Sequence, residues 1–358
     1  MADLNLYPMG KAFIVGLAGA LLFEFLGAPM PWLLGSLFAV LLVQLFTPVS
    51  LKWDASFRNT GLVIAGYVIG IAFTLDALNG MKQYFLPMLV INIVFFGLFL
   101  MISSLMANRT NVDKATAMTC CVPGGMSQII TFAEEQKTVD LTAVTFYHVF
   151  RVLLIVAAVP FIVASGGTAQ PGTAAEGEYS IYLFVLLAFC CVAGMVFKKI
   201  NVPTAFLLGP IFLIMVLNIA EVDVPLMPSS LLHIAQLLIG IYIGLLLEKE
   251  DIKLTPKLIF YSVFSSAVLI AFAYGLSFIL QDMYDLSFST SFLSVVPGGL
   301  DQMGIIAASV HADVTVVTAF QLFRIIFLSV FIVPFVKVVA GREKKVKSTD
   351  LAGSSPKN

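Results

Sequence analysis

Long apolar runs separated by short polar breaks dominate the chain, and their lengths suit a bilayer better than a soluble core. Residues 84–107 and 258–280 contain no Asp, Glu, Lys or Arg, and each exceeds the roughly 20 residues that span a hydrocarbon core of about 30 Å. Six apolar segments begin near residues 10, 32, 60, 84, 116 and 139, and six more near 180, 204, 230, 258, 287 and 313. The pattern predicts an all-α, polytopic membrane protein. Two segments break their own pattern with Pro-Gly-Gly, "CCVPGGMSQI" at 120–129 and "SVVPGGLDQM" at 294–303.

Composition sharpens this picture. Of 358 residues, 59% are hydrophobic and 11% charged, and the mean hydropathy of +1.00 lies outside the soluble range. The run at 12–25 follows Lys11 as a signal sequence does, yet it carries Glu24 and leads straight into "GAPMPWLLG", so it reads as a retained first helix. The cysteines form two adjacent pairs, Cys120-Cys121 and Cys190-Cys191, without zinc or CxxC spacing, and read as small packing residues.

A shift of 174 positions superposes the chain on itself. "PMPWLLG" at 29–35 falls on "PTAFLLG" at 203–209, Gly66 and Gly70 fall on Gly240 and Gly244, and Pro123-Gly124-Gly125 falls on Pro297-Gly298-Gly299. After one dropped residue, "AVTFYHVFRVLLIV" aligns with "VVTAFQLFRIIFLS", pairing Arg151 with Arg324. The expected organisation is repeat 1 at 1–164, a linker at 165–178, repeat 2 at 179–341 and a basic tail at 342–358. The glycine pairs read as close-packing helix faces.

Loop charges set an orientation. The tail reads as cytoplasmic, and the linker, which lacks Lys and Arg, as lying outside. The second copy must then cross an odd number of times, so one of its six segments enters and leaves on the same side. The Pro-Gly-Gly segment is the natural candidate. This places Lys198-Lys199, Arg109 with Lys114, and Lys52 with Arg58 inside, and Asp282 with Asp285 outside, with Lys82 dissenting. Two inverted repeats result, each of about five transmembrane helices plus one re-entrant or broken helix, with both termini cytoplasmic in the cell membrane. Such repeats build many secondary transporters, whose sites form at the midplane from broken helices. A parallel arrangement of twelve full crossings is the alternative.

Pro and Gly at membrane depth free backbone groups, tolerated only where the backbone is buried in protein or faces water. A helix restarting after Gly125 or Gly299 offers N–H groups to an anion, whereas a simple kink is the plainer reading. Asp301 stands where the first copy has Ser127. It either caps a helix or couples a proton or sodium ion. Gln128 and Gln302 are matched across the copies and serve solute or helix packing. Arg151 and Arg324 sit near mid-bilayer, where arginine costs at least about 2.5 kcal/mol and needs a partner. The candidates are Asp301, broken-helix carbonyls or an anionic solute. His148, three residues before Arg151, reads as a helix-packing or proton-relay group.

The doubled "GAPMPWLLGSL … CCVPGGMSQ" and "NVPTAFLLGPI … SVVPGGLDQM" resembles the AbrB-duplication membrane family over residues 10–340. That resemblance implies membership of the superfamily of cation/proton antiporters and bile-acid-type symporters, with inverted repeats and a crossed-helix core. Inherited family labels imply ammonia oxidation or transcriptional regulation. Three scattered histidines do not supply the clustered ligands of a copper or iron site, and the longest polar stretch, the tail from Arg342, is too short for a DNA-binding domain.

The expected function is secondary transport of a small anionic solute by alternating access with proton or sodium coupling. The alternative is a membrane sensor that affects gene expression indirectly. No enzyme activity, cofactor, metal or direct nucleic-acid partner is expected. The expected partners are the solute, the coupling ion and the bilayer, with homo-oligomer formation open.

Overall fold

The computed structural model describes residues 6–110, 112–122, 133, 139–165, 177–202, 204–247 and 256–339. Among these residues regular structure is entirely helical. The first half contains α1 (Leu6–Phe25), α2 (Pro31–Phe46), α3 (Ala55–Ile71), and α4 (Leu75–Gly80), which passes through a 3-10 turn into α5 (Phe85–Arg109). It ends with α6 (Lys114–Cys121) and α7 (Leu141–Ser165). The second half repeats the order with α8 (Ile181–Lys199), α9 (Ala205–Ile219), α10 (Ser229–Gly244), α11 (Pro256–Tyr284), α12 (Phe288–Val295), α13 (Leu300–Ser309) and α14 (Val314–Phe327). The last continues as helix to Val339 through a π-helical turn at Leu328–Ile332. Among the described residues six helices are long and apolar enough to cross a membrane: α1, α4 with α5, α7, α8, α11 and α14 with its continuation. Helices α2, α9 and α10 are apolar but shorter.

Local chemistry explains the boundaries. Asp54, Ser180, Ser287 and Asp313 each accept a backbone N–H at the start of the helix that follows. The turn from α1 to α2 places Gly27 at φ 66° and Met30 at φ 48°. The turn from α8 to α9 places Asn201 at φ 57° and Thr204 at φ 49°. These left-handed positions coincide under the 174-residue shift. In both turns a backbone N–H reaches back to close the preceding helix, Ala28 to Phe23 and Val202 to Phe197. A non-glycine residue seldom adopts this backbone, so its recurrence makes the two turns one design.

The two halves cross through glycine. A Cβ on Gly66 would lie 2.5 Å from the Leu207 carbonyl oxygen, and one on Gly240 would lie 2.6 Å from that of Leu33. One turn further on, Gly70 packs on Ile211 and Ile214, and Gly244 on Leu37 and Val40. Every partner in the first set sits 174 positions from its counterpart in the second. Residue numbers rise together along α3 and α9, and along α10 and α2, so the members of each crossing pair run in the same direction.

The Pro-Gly-Gly segment of the second half is a hairpin. Helix α12 has 8 residues and α13 has 10, or about 12 Å and 15 Å at 1.5 Å per residue, so neither crosses a core of about 30 Å. The Asp313 N–H donates to Thr290 Oγ1 at 2.9 Å, which brings the end of the segment back beside its start. In the first half the Asp140 N–H donates to Thr116 Oγ1 at 3.1 Å. These two bonds join corresponding positions. Pro123, Gly124, Gly125, Ser127 and Gln128, which fall between Thr116 and Asp140 in sequence, lie outside the described residues.

Candidate functional site

Helix α12 ends at Val295, and its hydrogen-bond ladder stops with the Val296 N–H on Phe292 O, so the carbonyls that follow need other donors. Arg324 supplies them. Its Nη1 donates to Val296 O at 2.8 Å and its Nη2 to Ser294 O at 3.2 Å and Val295 O at 2.6 Å. Gln321 Nε2 donates to Leu293 O and Val296 O, and Gln321 Oε1 accepts from Arg324. The guanidinium lies 5.6 Å from the centre of the Phe95 ring, and its Nε has no hydrogen-bond partner among the described residues. In the first half Arg151 Nη1 donates to Val122 O at 2.6 Å, the counterpart of Val296. Arg151 Nη2 meets His148 Nδ1 at 2.8 Å, and His148 Nε2 meets Thr119 O at 3.0 Å. With Nδ1 accepting from arginine, Nε2 carries the proton and donates to Thr119. Of the three partners open to the arginines, the broken-helix carbonyls take them.

Past the break the chain restarts from Gly299, at φ 94°, a backbone that L residues rarely adopt. Pro297 and Gly298 are buried, and Gly298 faces Ile155 of α7, so the hairpin tip meets the other half. The break is therefore a chain reversal between two helices and not a kink in a continuing one. Gln302 is half-buried beside Gly299. Asp301 lies in the first turn of α13, where the helix dipole favours a negative group.

The partner of Asp301 comes from α3. Arg58 Nη2 lies 3.4 Å from Asp301 Oδ2, with side chains 27% and 10% exposed respectively. The Arg58 guanidinium stands 4.9 Å from the centre of the Tyr242 ring on α10, within range of a cation–π contact. Sequence reasoning assigned Arg58 to a loop and missed it. The signal was present: its counterpart at the 174-residue shift is Leu232, as that of Asp301 is Ser127. Both halves of the ion pair depart from the duplication together, since the residues 174 positions away in sequence are both uncharged.

Thirteen residues were singled out by sequence. The structure gathers Pro297, Gly298, Gly299, Asp301, Gln302 and Arg324 around one hairpin, and Arg151 with His148 around the entry helix of the other. The remaining five lie outside the described residues.

These features define a polytopic, all-helical membrane protein organised around broken helices. The chain belongs to the AbrB family: residues 32–340 match the family described as "Transition state regulatory protein AbrB". The "Uncharacterized protein YhjN" of Bacillus subtilis (strain 168) is 24% identical over 369 residues, covering 95% of this chain and 96% of that protein. The "Putative regulator AbrB" of Escherichia coli (strain K12) is 27% identical over 212 residues, 57% of this chain and 60% of its relative.

Proposed function

We propose that this protein is a secondary transporter that moves a small anionic solute by alternating access, driven by a proton or sodium gradient. The observation that carries this reading is the folded-back hairpin 288–313, whose tip places Asp301 against Arg58 of the other half. A broken backbone and an ion pair inside a membrane-embedded bundle are expensive, and such groups mark solute and ion paths.

Inversion of the two halves follows from helix direction. Consecutive helices α2 and α3, joined by the short connection 47–54, run oppositely if both cross the membrane, and α3 runs with α9. Helix α9 is then inverted relative to its counterpart α2, which favours an axis in the membrane plane over a parallel repeat. Five crossings and one hairpin per half supply the odd count that the loop charges require, with both termini cytoplasmic in the plasma membrane. This architecture agrees with the superfamily of cation/proton antiporters and bile-acid-type symporters.

The test is flux. Purified protein in proteoliposomes is expected to accumulate an anionic solute, chosen as one that stabilises it in a thermal screen, when a proton or sodium gradient is imposed. Accumulation that ignores both gradients would sink the transport reading. The second reading, a sensor that binds without moving its ligand, is favoured by the names of the family and of the E. coli relative. Tight binding with no flux, accompanied by altered transcription on deletion, would establish it.

A further inference from the structure

Arg58 differs from the two capping arginines in how its donors are used. Among the described residues Arg324 reaches four acceptors and Arg151 two. Among the described residues Arg58 has one polar contact, to a single oxygen of Asp301, and at 3.4 Å that contact is long for a charge-assisted bond. Its guanidinium carbon lies 4.9 Å from the centre of the Tyr242 ring, a contact that needs none of its N–H groups, and all but one of those donors have no acceptor among the described residues. Its side chain is also the more exposed of the pair. A guanidinium fork with a single long contact has the donors to take a planar anion in two parallel hydrogen bonds.

We propose that the solute carries one carboxylate, that this carboxylate displaces Asp301 from Arg58, and that Asp301 then takes up one proton from water on the open side. No covalent bond changes. The solute's two oxygens accept from Arg58, the Asp301–Arg58 contact breaks, and the proton lost by hydronium resides on Asp301. This rests on the transport reading above and fixes its coupling ion and stoichiometry as one proton per carboxylate. The class of anion is read from the present occupant, since the group resting on the Arg58 edge is itself a carboxylate.

Among the described residues the cation paired with Asp301 is Arg58. Helix α10, tied to α13 by Gln236 Nε2 donating to Ser309 Oγ, offers Tyr242 beside Arg58 and His233, which stacks on Trp32. Helix α3 offers Arg58 and Tyr67, whose hydroxyl donates to Pro225 O. Helix α14 offers Arg324, bound to the carbonyls of 294–296, and its cap Asp313, which accepts from Thr315 and Val316. Helix α12 has no charged residue. Once the solute holds Arg58, the buried carboxylate is unpaired, and protonation is the inexpensive way to keep it buried. The positions matched to Asp301 and Arg58 by the duplication, Ser127 and Leu232, are uncharged in sequence.

The experiment is calorimetric titration of the purified full chain with potassium acetate, lactate, succinate and citrate, and with phosphate and sulfate. Each titration is repeated in buffers of different ionisation enthalpy, so that proton uptake is read directly. At least one monocarboxylate is expected to bind with uptake of about one proton, and by linkage its Kd is expected to rise about tenfold per pH unit wherever that uptake is complete. Asp301→Asn is expected to bind the same anion with no proton uptake and a Kd that ignores pH. Arg58→Gln is expected to lose binding, and Arg58→Lys to recover part of it, with unfolding temperatures showing that all three variants fold. Proton uptake that persists in Asp301→Asn, wild-type affinity in Arg58→Gln, a preference for phosphate or sulfate, or no carboxylate binding would each overturn the proposal. Flux driven by sodium alone would overturn it while leaving the transport reading intact.

Discussion

Replacing Arg324 with leucine is expected to lower the stability of the purified protein by about 2–6 kcal/mol, taking about 1–3 kcal/mol for each buried carbonyl left without its donor. The two carbonyls are those of Ser294 and Val295, which receive Arg324 Nη2, whereas Val296 O keeps Gln321. Both belong to the end of an eight-residue helix whose side chains are all buried, so water does not readily replace the guanidinium. Arg151→Leu is expected to cost less, because among the described residues Arg151 serves one carbonyl, that of Val122, together with His148. Thermal unfolding in detergent checks both. If Arg324→Leu unfolds at the wild-type temperature, the arginine is not what closes the broken helix.

Asp301→Asn is expected to abolish gradient-driven accumulation while leaving the fold in place. Within residues 288–309 Asp301 is the single ionisable side chain, and a carboxamide cannot take up a proton or balance a cation. The fold is expected to survive because asparagine keeps the size of the side chain, the lost charge in the first turn is worth about 0.3–1 kcal/mol, and the Arg58 left behind is partly exposed. Counterflow of the solute down its own gradient is expected to continue, with the inside-to-outside ratio settling near unity, since a ligand-driven equilibrium without coupling performs no concentration work. Accumulation at the wild-type ratio in Asp301→Asn would remove Asp301 from the coupling step.

Much of this architecture is legible in the sequence because duplication repeats each signal. Pro297-Gly298-Gly299 marked a helix break, Arg324 at depth announced a need for partners, and Gly66 with Gly70 announced a close approach. What the arginines touch was not legible. The acceptors lie nearly thirty residues away, and three partners were chemically equivalent until the hairpin placed the carbonyls within reach. The face that each spanning helix presents was equally hidden, since helices apolar on every side carry no stripe to read. Arg58 was lost for a different reason: four residues into α3 and near Lys52, it followed the loop-charge pattern, and only its departure from Leu232 set it apart. The left-handed residues Met30 and Thr204 also gave no warning, because neither is a residue type that seeks that backbone.

The central claim is that two hairpins enter the membrane from opposite faces and fold back. Single cysteines at Asp113, Asp285 and His311, in a background lacking the native cysteines, test it with a membrane-impermeant thiol reagent applied to right-side-out and inside-out vesicles. These exposed positions flank α6 of the first hairpin and the two ends of the second. The account predicts that the cysteines at 285 and 311 label from the same face and the cysteine at 113 from the opposite face. Labelling of 285 and 311 from different faces, or of 113 and 285 from one shared face, would contradict it.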